Sequence, residues 1–417
     1  MERILLKNAR LIDGKSDEPV DGVNILLVGD KIEEISTGDI PGSGAEIIDL
    51  DGATVIPGLF DSHAHLAWDA LQDIQLQSQN DSNELAAMKC TLNMRRYLET
   101  GVTTIRDLGV HWHGVESRNA VLAGTVPGPR ILASGPPITT TGGHCWWCGV
   151  EADGEDHIRQ TVRNLAKGGV DLVKVIATQA SLGSYLFPGS ASTPNPAFTD
   201  QELHALISES HNLGRKVTSH ATTPEGAAQV VAAGIDCVEH GTDFTDETIE
   251  MMKQKGVFVV PTLSASWMQA NYGHQIGIPE AEIQKRKDMV ADPTRARGVA
   301  RAAQAGVKIA VGTDQGSPCT PPASLITEMF LHLENDIAPD AMTVIRNATA
   351  SAAELAGIDA FVGTIEEDKI ADLVVTAKDP LDNIRNLHSP RMVFQAGRKV
   401  VENGSLVAES PFFFTDA

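Results

Sequence analysis

Cysteine, positive charge and long hydrophobic runs are all scarce in this sequence of 417 residues. Five cysteines are too few, and odd in number, for a disulfide framework in so long a chain, which favours a reducing compartment. Lysine and arginine total 33 against 55 aspartates and glutamates, and the formal net charge is −22. Because nucleic acids and anionic membranes are recognised by clustered positive side chains, this charge argues against both partners and favours a small-molecule substrate.

Membrane and export segments are not expected either. No stretch approaches the roughly 20 consecutive apolar residues of a membrane-spanning helix. The first residues, MERILLKNARLIDG, hold neither the apolar core nor the small-residue cleavage site of a secretory signal peptide. We therefore expect a cytoplasmic protein.

The two ends of the chain share one pattern. In residues 1–55 short β-branched runs alternate with glycine and aspartate turns, and a similar pattern returns in residues 358–417. Neither segment is long enough to bury a core alone, so we expect the two to form one small β-sandwich domain. Residues 56–357 instead alternate short apolar runs with alanine-rich helical segments, which indicates repeated βα units.

Eight such units can be counted, which predicts an α/β fold, the (β/α)8 TIM barrel, for the central domain. A doubly wound open sheet is the structural alternative. The apolar segments that predict the eight strands are 54–66, 101–109, 129–135, 170–178, 216–221, 237–241, 256–263 and 308–316.

Polar side chains mark the ends of several of these strands, where barrel enzymes carry their catalytic groups. Each has an ordinary explanation: a His-x-His pair is often surface decoration, a single histidine can be a core residue, and an aspartate can cap a helix. Together, however, four imidazoles and a carboxylate in one interior region are costly to bury unless metal ions bind them. The residues are His63 and His65 on the first strand, Lys174 on the fourth, His220 on the fifth, His240 on the sixth and Asp314 on the eighth.

Lys174 is the most informative of these residues, because it interrupts the apolar run 170–177 in a strand predicted to be buried on both faces. The alternative explanation is a lysine that is ion-paired with a nearby carboxylate. Burial lowers the pKa of a lysine and favours the neutral amine, which can react with carbon dioxide to give a carbamate. A carbamate is anionic and has two oxygens, so it could bridge two metal ions.

These motifs resemble the amidohydrolase superfamily, specifically its imidazolonepropionase-like or Xaa-Pro dipeptidase-like branch. The resemblance runs through VIPGLFDSHAHL, GVTTIRDLG, TGGHC, VDLVKVIAT, SHA, VEHGT, VGTD and ADLVV, which together span almost the whole chain. It implies that a metal-activated hydroxide attacks the substrate, that Asp314 transfers its proton to the departing nitrogen, and that the protein forms a homo-oligomer. The implied ligands are His63, His65 and Asp314 for a first divalent ion, His220 and His240 for a second, and carboxylated Lys174 as a bridge, with zinc as the expected metal.

Substrate contacts are predicted from the loop TTTGGHCWWCG at 139–149. In similar enzymes the histidine of the TGGH motif lies at the active site, so His144 is expected to act on the substrate. The aromatic residues suggest an apolar pocket, although ordinary loop packing would explain them as well. These aromatic residues are Trp146, Trp147, Tyr185 and Phe187.

Two further pairs receive structural interpretations. Cys145 and Cys148 form a CxxC without a thioredoxin-like context, so pocket lining is favoured over redox chemistry. His111 and His113 form a second His-x-His, at a position that the family's metal sites do not use. The segment after Lys174, ATQASLGSYLFPG, departs from the family by lacking a Gly-Gly pair, which weakens a dipeptidase assignment.

The leading functional hypothesis is hydrolysis of the amide C–N bond of a dipeptide or an N-acyl amino acid. A urea or carbamate xenobiotic hydrolase is the enzymatic alternative. A non-catalytic barrel scaffold is the alternative from another class, and the complete ligand set argues against it.

Overall fold

The computed structural model describes residues 2–71, 73–179 and 195–407. None of the helices within these ranges combines the length and the apolar composition that crossing a membrane requires.

Residues 3–57 contain five strands. The first two strands pair antiparallel, and the fourth and fifth both lie parallel to the first. These strands are β1 (Arg3–Leu11), β2 (Val20–Val28), β3 (Lys31–Ser36), β4 (Glu46–Asp49) and β5 (Thr54–Pro57).

The central part of the chain contains parallel strands, several of which are buried along their whole length, as expected for strands covered on both faces. Each of the eight predicted segments contains one of them, and two short strands are additional. They are β6 (Leu59–Ala64), β7 (Val102–Asp107), β8 (Arg130–Ala133), β9 (Ile138–Thr139), β10 (Val150–Glu151), β11 (Leu172–Ile176), β12 (Lys216–Ala221), β13 (Cys237–His240), β14 (Phe258–Val260) and β15 (Lys308–Ile309).

These strands form two hydrogen-bonded sheets, β6-β7-β8 and β10-β9-β11-β12-β13-β14-β15. Backbone bonds connect the two sheets at both edges. Ser62 N–H donates to the Val311 carbonyl at 2.9 Å, and Asp171 N–H donates to the Ala133 carbonyl at 2.8 Å. The carboxyl ends of the parallel strands therefore face one common region.

Helices connect successive parallel strands, and side-chain caps mark the beginning of several of them. In α5 the Thr199 hydroxyl accepts from Glu202 N–H and the Glu202 carboxylate accepts from Thr199 N–H, a capping box. The helices are α1 (Ile74–Asn80), α2 (Asn83–Glu99), α3 (His113–Leu122), α4 (Glu155–Lys167), α5 (Asp200–Asn212), α6 (Pro224–Ala233), α7 (Asp246–Lys255), α8 (Leu263–Tyr272), α9 (Glu280–Ala291), α10 (Thr294–Gln304), α11 (Ser324–Glu334), α12 (Ala341–Asn347) and α13 (Ala350–Ala356), with 3-10 turns at Gly273–Ile276 and Ile384–His388.

Both ends of the chain meet in one sheet. Strand β16 pairs antiparallel with β5, which gives the order β19-β18-β17-β16-β5-β1-β2-β3, with β4 beside β1. Apolar side chains such as Val55, Leu373 and Phe394 form a core on this sheet. The domain bounds 1–55 plus 358–417 and 56–357 stay a prediction. The C-terminal strands are β16 (Leu373–Thr376), β17 (Met392–Gln395), β18 (Arg398–Glu402) and β19 (Ser405–Leu406).

Candidate metal centre and active site

Three side chains at the ends of β6 and β15 lie close enough to share one metal ion: His63, His65 and Asp314, whose ligand atoms all lie within 4.8 Å of one another. Asp314 Oδ1 is 3.4 Å from His63 Nε2 and 3.2 Å from His65 Nε2. The backbone of Asp314 has a φ of +62°, and its N–H donates to the His63 carbonyl at 2.8 Å. A backbone in this left-handed region is costly for a residue with a side chain, and such strain is typical of functional sites.

His220, His240 and Lys174 come from β12, β13 and β11 and lie beside this group. The ring centroid of His240 is 4.9 Å from that of His63 and 4.5 Å from that of His220. Burial lowers the pKa of His63 to about 4 and holds the pKa of His220 and His240 well below the usual value. The charge of Lys174 acts in the same direction. The three rings are therefore neutral near neutral pH, which is the form that binds metals.

Two buried nitrogen atoms of this cluster have no hydrogen-bond partner in the described part of the chain: Lys174 Nζ and His220 Nε2. Leaving a buried polar atom unsatisfied costs about 1–3 kcal/mol, and more for a charged group. Burial lowers the pKa of Lys174, although Glu239 and Asp314 oppose this shift. The unsatisfied nitrogens and the surrounding imidazole and carboxylate donors fit a site that holds divalent metal ions.

Glu239, on β13 directly before His240, orients the ring of His63. Its carboxylate accepts from His63 Nδ1 at 2.8 Å, from Arg106 Nη2 at 3.2 Å and from the Thr218 hydroxyl. Burial opposes ionisation of Glu239, but Arg106 and His63 outweigh it and hold its pKa well below the usual range. Because the carboxylate accepts a hydrogen bond from Nδ1–H, the Nε2 of His63 is left as the metal-binding nitrogen.

Sequence reasoning missed Glu239, although a signal was available. A charged residue inside a buried strand is the same pattern that made Lys174 informative, and Glu239 interrupts the buried strand Cys237–His240 in the same way.

The other ring nitrogens are also fixed by neighbours. His65 Nδ1 donates to the Gly109 carbonyl at 2.5 Å, and His240 Nδ1 lies 2.8 Å from the Thr262 hydroxyl. A side chain at Gly109 would put its Cβ 2.6 Å from the Gly135 carbonyl oxygen, and the φ of Gly109 is +111°, so only glycine suits this position. Because Nδ1 is engaged in both rings, Nε2 is the nitrogen that points away from these contacts.

His144 lies next to the second half of the cluster. Its ring centroid is 4.9 Å from that of His220 and 5.6 Å from that of Trp147, and its backbone N–H donates to the Gln179 side chain at 3.0 Å. Trp146, by contrast, has 43% of its surface exposed. Tyr185 and Phe187, the other predicted pocket residues, lie outside the described residues, as does most of the loop after Lys174.

Of the remaining predicted pairs, the CxxC contacts the cluster, because the side chain of Cys145 forms a hydrogen bond with that of His144. Cys145 and Cys148 are both buried in a turn, with Cys148 N–H donating to the Cys145 carbonyl at 3.0 Å. His111 and His113 have ring centroids 6.0 Å apart and line a separate cavity of about 220 Å³ next to Trp68. Their roles stay a prediction.

Parallel strands that bring imidazoles, a carboxylate and a buried lysine together at one end are the setting of metal-dependent hydrolases on barrel folds. The sequence profile of the amidohydrolase family matches residues 54–403, and the chain belongs to this family. The family expected from the sequence motifs is thus confirmed. The protein is a hydrolase that acts on carbon–nitrogen bonds, and it has a TIM-barrel-like fold with an extra domain.

Individual relatives agree with this assignment. Ochratoxinase from Aspergillus niger is 27% identical over 377 residues, which cover 81% of this chain and 73% of that protein. Imidazolonepropionase from Symbiobacterium thermophilum is 24% identical over 438 residues, 97% of this chain and 92% of that protein. Among solved structures, a Xaa-Pro dipeptidase with bound methionine in its active site is 30% identical, with a TM-score of 0.85 over 95% of this chain and 99% of that one.

Proposed function

We propose that this chain hydrolyses the amide C–N bond of a dipeptide or an N-acyl amino acid at a centre of two divalent metal ions. The observation that carries the proposal is the convergence of four histidines, Asp314 and Lys174 at one end of the parallel strands. The Xaa-Pro dipeptidase relative supports a dipeptide substrate, and its bound methionine supports a site for an amino acid. The proposal takes the eight parallel strands as one closed (β/α)8 barrel.

The proposed ligands divide into two sets with one bridge. His63, His65 and Asp314 would hold the first ion, and His220 and His240 would hold the second. Lys174 would bridge the two as a carbamate, formed when its neutral amine bonds to the carbon of carbon dioxide and releases one proton. The low pKa and the unsatisfied Nζ of Lys174 support this modification. Zinc is the proposed metal, because imidazole and carboxylate ligands suit it.

Divalent ions bound here would lower the pKa of a water molecule and polarise the substrate carbonyl. Asp314 is the proposed acid-base residue, since its carboxylate lies within 3.4 Å of the Nε2 atoms of His63 and His65 and is ionised in this setting. It accepts a proton from the attacking water and then donates that proton to the departing nitrogen. His144 contacts the substrate carbonyl or carboxylate from the side of His220, with Trp147 packed against its ring.

The test is a turnover screen of purified, zinc-reconstituted protein against N-acyl amino acids, dipeptides and aryl ureas, together with elemental analysis. Amide hydrolysis and about two ions per chain would support the proposal. Turnover of ureas alone would replace it with the xenobiotic hydrolase. Absence of both bound metal and turnover would contradict it and favour the scaffold.

We also propose where the protein acts and what it binds. The cysteine usage favours a cytoplasmic protein and the family resemblance favours a homo-oligomer, and the net charge of −22 favours a small-molecule substrate over nucleic acid or membrane.

A further inference from the structure

A cavity of about 280 Å³ lies beside the proposed metal centre. Part of its wall is formed by residues that directly follow the metal-binding strands: Thr222 comes two residues after His220, and Gly241 comes next after His240. Most of the rest of the wall comes from helices α8, α9, α10 and α11, with apolar side chains that include Leu263, Trp267, Met289, Ala296 and Leu331.

Arg295, near the start of α10, is a cation on this wall. Its Nε–H donates to the His240 carbonyl at 2.9 Å, and its Nη2 donates to the Thr262 hydroxyl at 3.2 Å and to the Pro261 carbonyl. Its Nη1 has no hydrogen-bond partner among the residues that the structure describes, and the guanidinium forms no ion pair with their carboxylates. A guanidinium stays protonated even when it is partly buried, so this positive charge lacks a direct counter-ion.

The nearest carboxylates are engaged elsewhere. Glu328 and Asp314 are the acidic groups whose fields act on Arg295. Glu328 accepts from the backbone N–H groups of Leu263 and Ser264 at 2.9 and 2.6 Å, and Asp314 contacts the two histidines of the first metal set. Asp292 is exposed at the rim and accepts from Thr294 N–H at 2.9 Å. In a chain with 55 acidic residues, the cavity therefore still holds a cation that forms no ion pair with a carboxylate of the described residues.

We propose that Arg295 binds the free carboxylate of the substrate's C-terminal residue and that the cavity holds the side chain of that residue. This inference rests on the proposed amide hydrolysis. Arginine forms charge-assisted N–H···O bonds with carboxylates, and Nη1 is the nitrogen whose donors are free for such a bond. The apolar wall selects an aliphatic or aromatic side chain. The bond to the His240 carbonyl places the Arg295 guanidinium directly beside the strand end that carries His240.

The experiment compares N-acetyl-L-leucine with N-acetyl-L-leucinol, which keeps the amide and the side chain but carries CH2OH in place of the carboxylate. Wild-type protein should cleave the acid with a kcat/KM about 10–100-fold above that of the alcohol, the size of a charge-assisted hydrogen bond. Arg295→Gln should remove this preference by raising KM for the acid, and Arg295→Lys should retain part of it. Arg297→Gln, an exposed arginine of the same helix that does not line the cavity, is the matched control and should keep the preference.

The outcomes distinguish a failure of the carboxylate site from a failure of the proposed amide hydrolysis. Equal cleavage of acid and alcohol by the wild type would overturn the carboxylate site and leave amide hydrolysis standing. Equal losses for both compounds in Arg295→Gln would also overturn it, since Arg295 would then be a positioning residue for His240. If Arg295→Gln fails to fold or to hold metal, calorimetry of wild-type protein with L-leucine and L-leucinol decides, and equal affinities overturn the site. Failure to cleave any amide would refute the proposed function itself.

Discussion

Replacement of Glu239 by glutamine tests whether the buried carboxylate behind His63 supports the metal centre. Glutamine keeps the shape and one acceptor oxygen but removes the charge that faces Arg106, whose side chain is only 3% exposed. Leaving one partner of a buried ion pair alone costs about 3–5 kcal/mol. Because the amide oxygen retains one hydrogen bond, we expect the lower end of this range, about 3 kcal/mol of unfolding free energy.

The substitution should also weaken metal binding. Glutamine can still accept a hydrogen bond from His63 Nδ1, but it lacks the negative charge that makes the imidazole a stronger metal ligand. We therefore expect metal affinity to fall by about 10–100-fold, as for other partners of metal-bound histidines. Urea unfolding of metal-free protein measures the first effect, and competition with a chelator measures the second.

Glu209 offers a matched control for this substitution. It likewise pairs with arginine, in this case with Arg159 and Arg163, but it lies between α4 and α5 away from the cluster, and the side chains of the two arginines are 29% and 61% exposed. Because these arginines remain solvated when the charge is removed, Glu209→Gln should cost less stability than Glu239→Gln and leave metal affinity unchanged. Wild-type stability and metal affinity in Glu239→Gln would refute the reasoning.

Three other substitutions test the proposed roles. Asp314→Asn should lower kcat by about 10²–10⁴-fold while the fold persists, because a positioned acid-base group is lost; near-native kcat on the true substrate would remove it from the mechanism. His144→Ala should impair turnover with metal content unchanged, as measured by elemental analysis, and loss of metal would show that it is a ligand instead. Lys174→Ala should lose most metal and activity, and millimolar-range acetate or propionate should restore part of both by replacing the carbamate. An unmodified lysine in a structure of the active, metal-loaded enzyme would contradict that bridging role.

The positions of the parallel strands could be predicted because each is a short apolar run between a helix and a polar end. The residues His63, His65 and Asp314 could be predicted to meet for the same reason, since strand ends of a parallel sheet share one edge. Lys174 stood out because a charge in a buried strand needs compensation.

The partners behind these residues could not be found in the same way. Arg106 and Glu239 are 133 positions apart, and their contact depends on the register of strands from two different sheets. Arg295 lies in a helix whose sequence gives no sign that one side chain bonds the carbonyl of His240. The orientation of the 139–149 loop could not be predicted either. The sequence does not distinguish the two adjacent tryptophans, yet Trp147 contacts His144 and Trp146 is exposed to solvent.

The pairing of β5 with β16 leaves β5 without its partner strand while the chain is being translated. Residues 54–57 leave the ribosome long before their partners at 373–376, and at about 5–20 residues per second the delay is on the order of tens of seconds. During this time β5 has an open edge next to Gly58, which connects it to the strand that carries His63. The unpaired N–H and C=O groups of an exposed apolar edge can form hydrogen bonds with strands of other chains. A nascent or C-terminally truncated chain is therefore expected to be prone to aggregation at the same place where its first metal-binding strand begins.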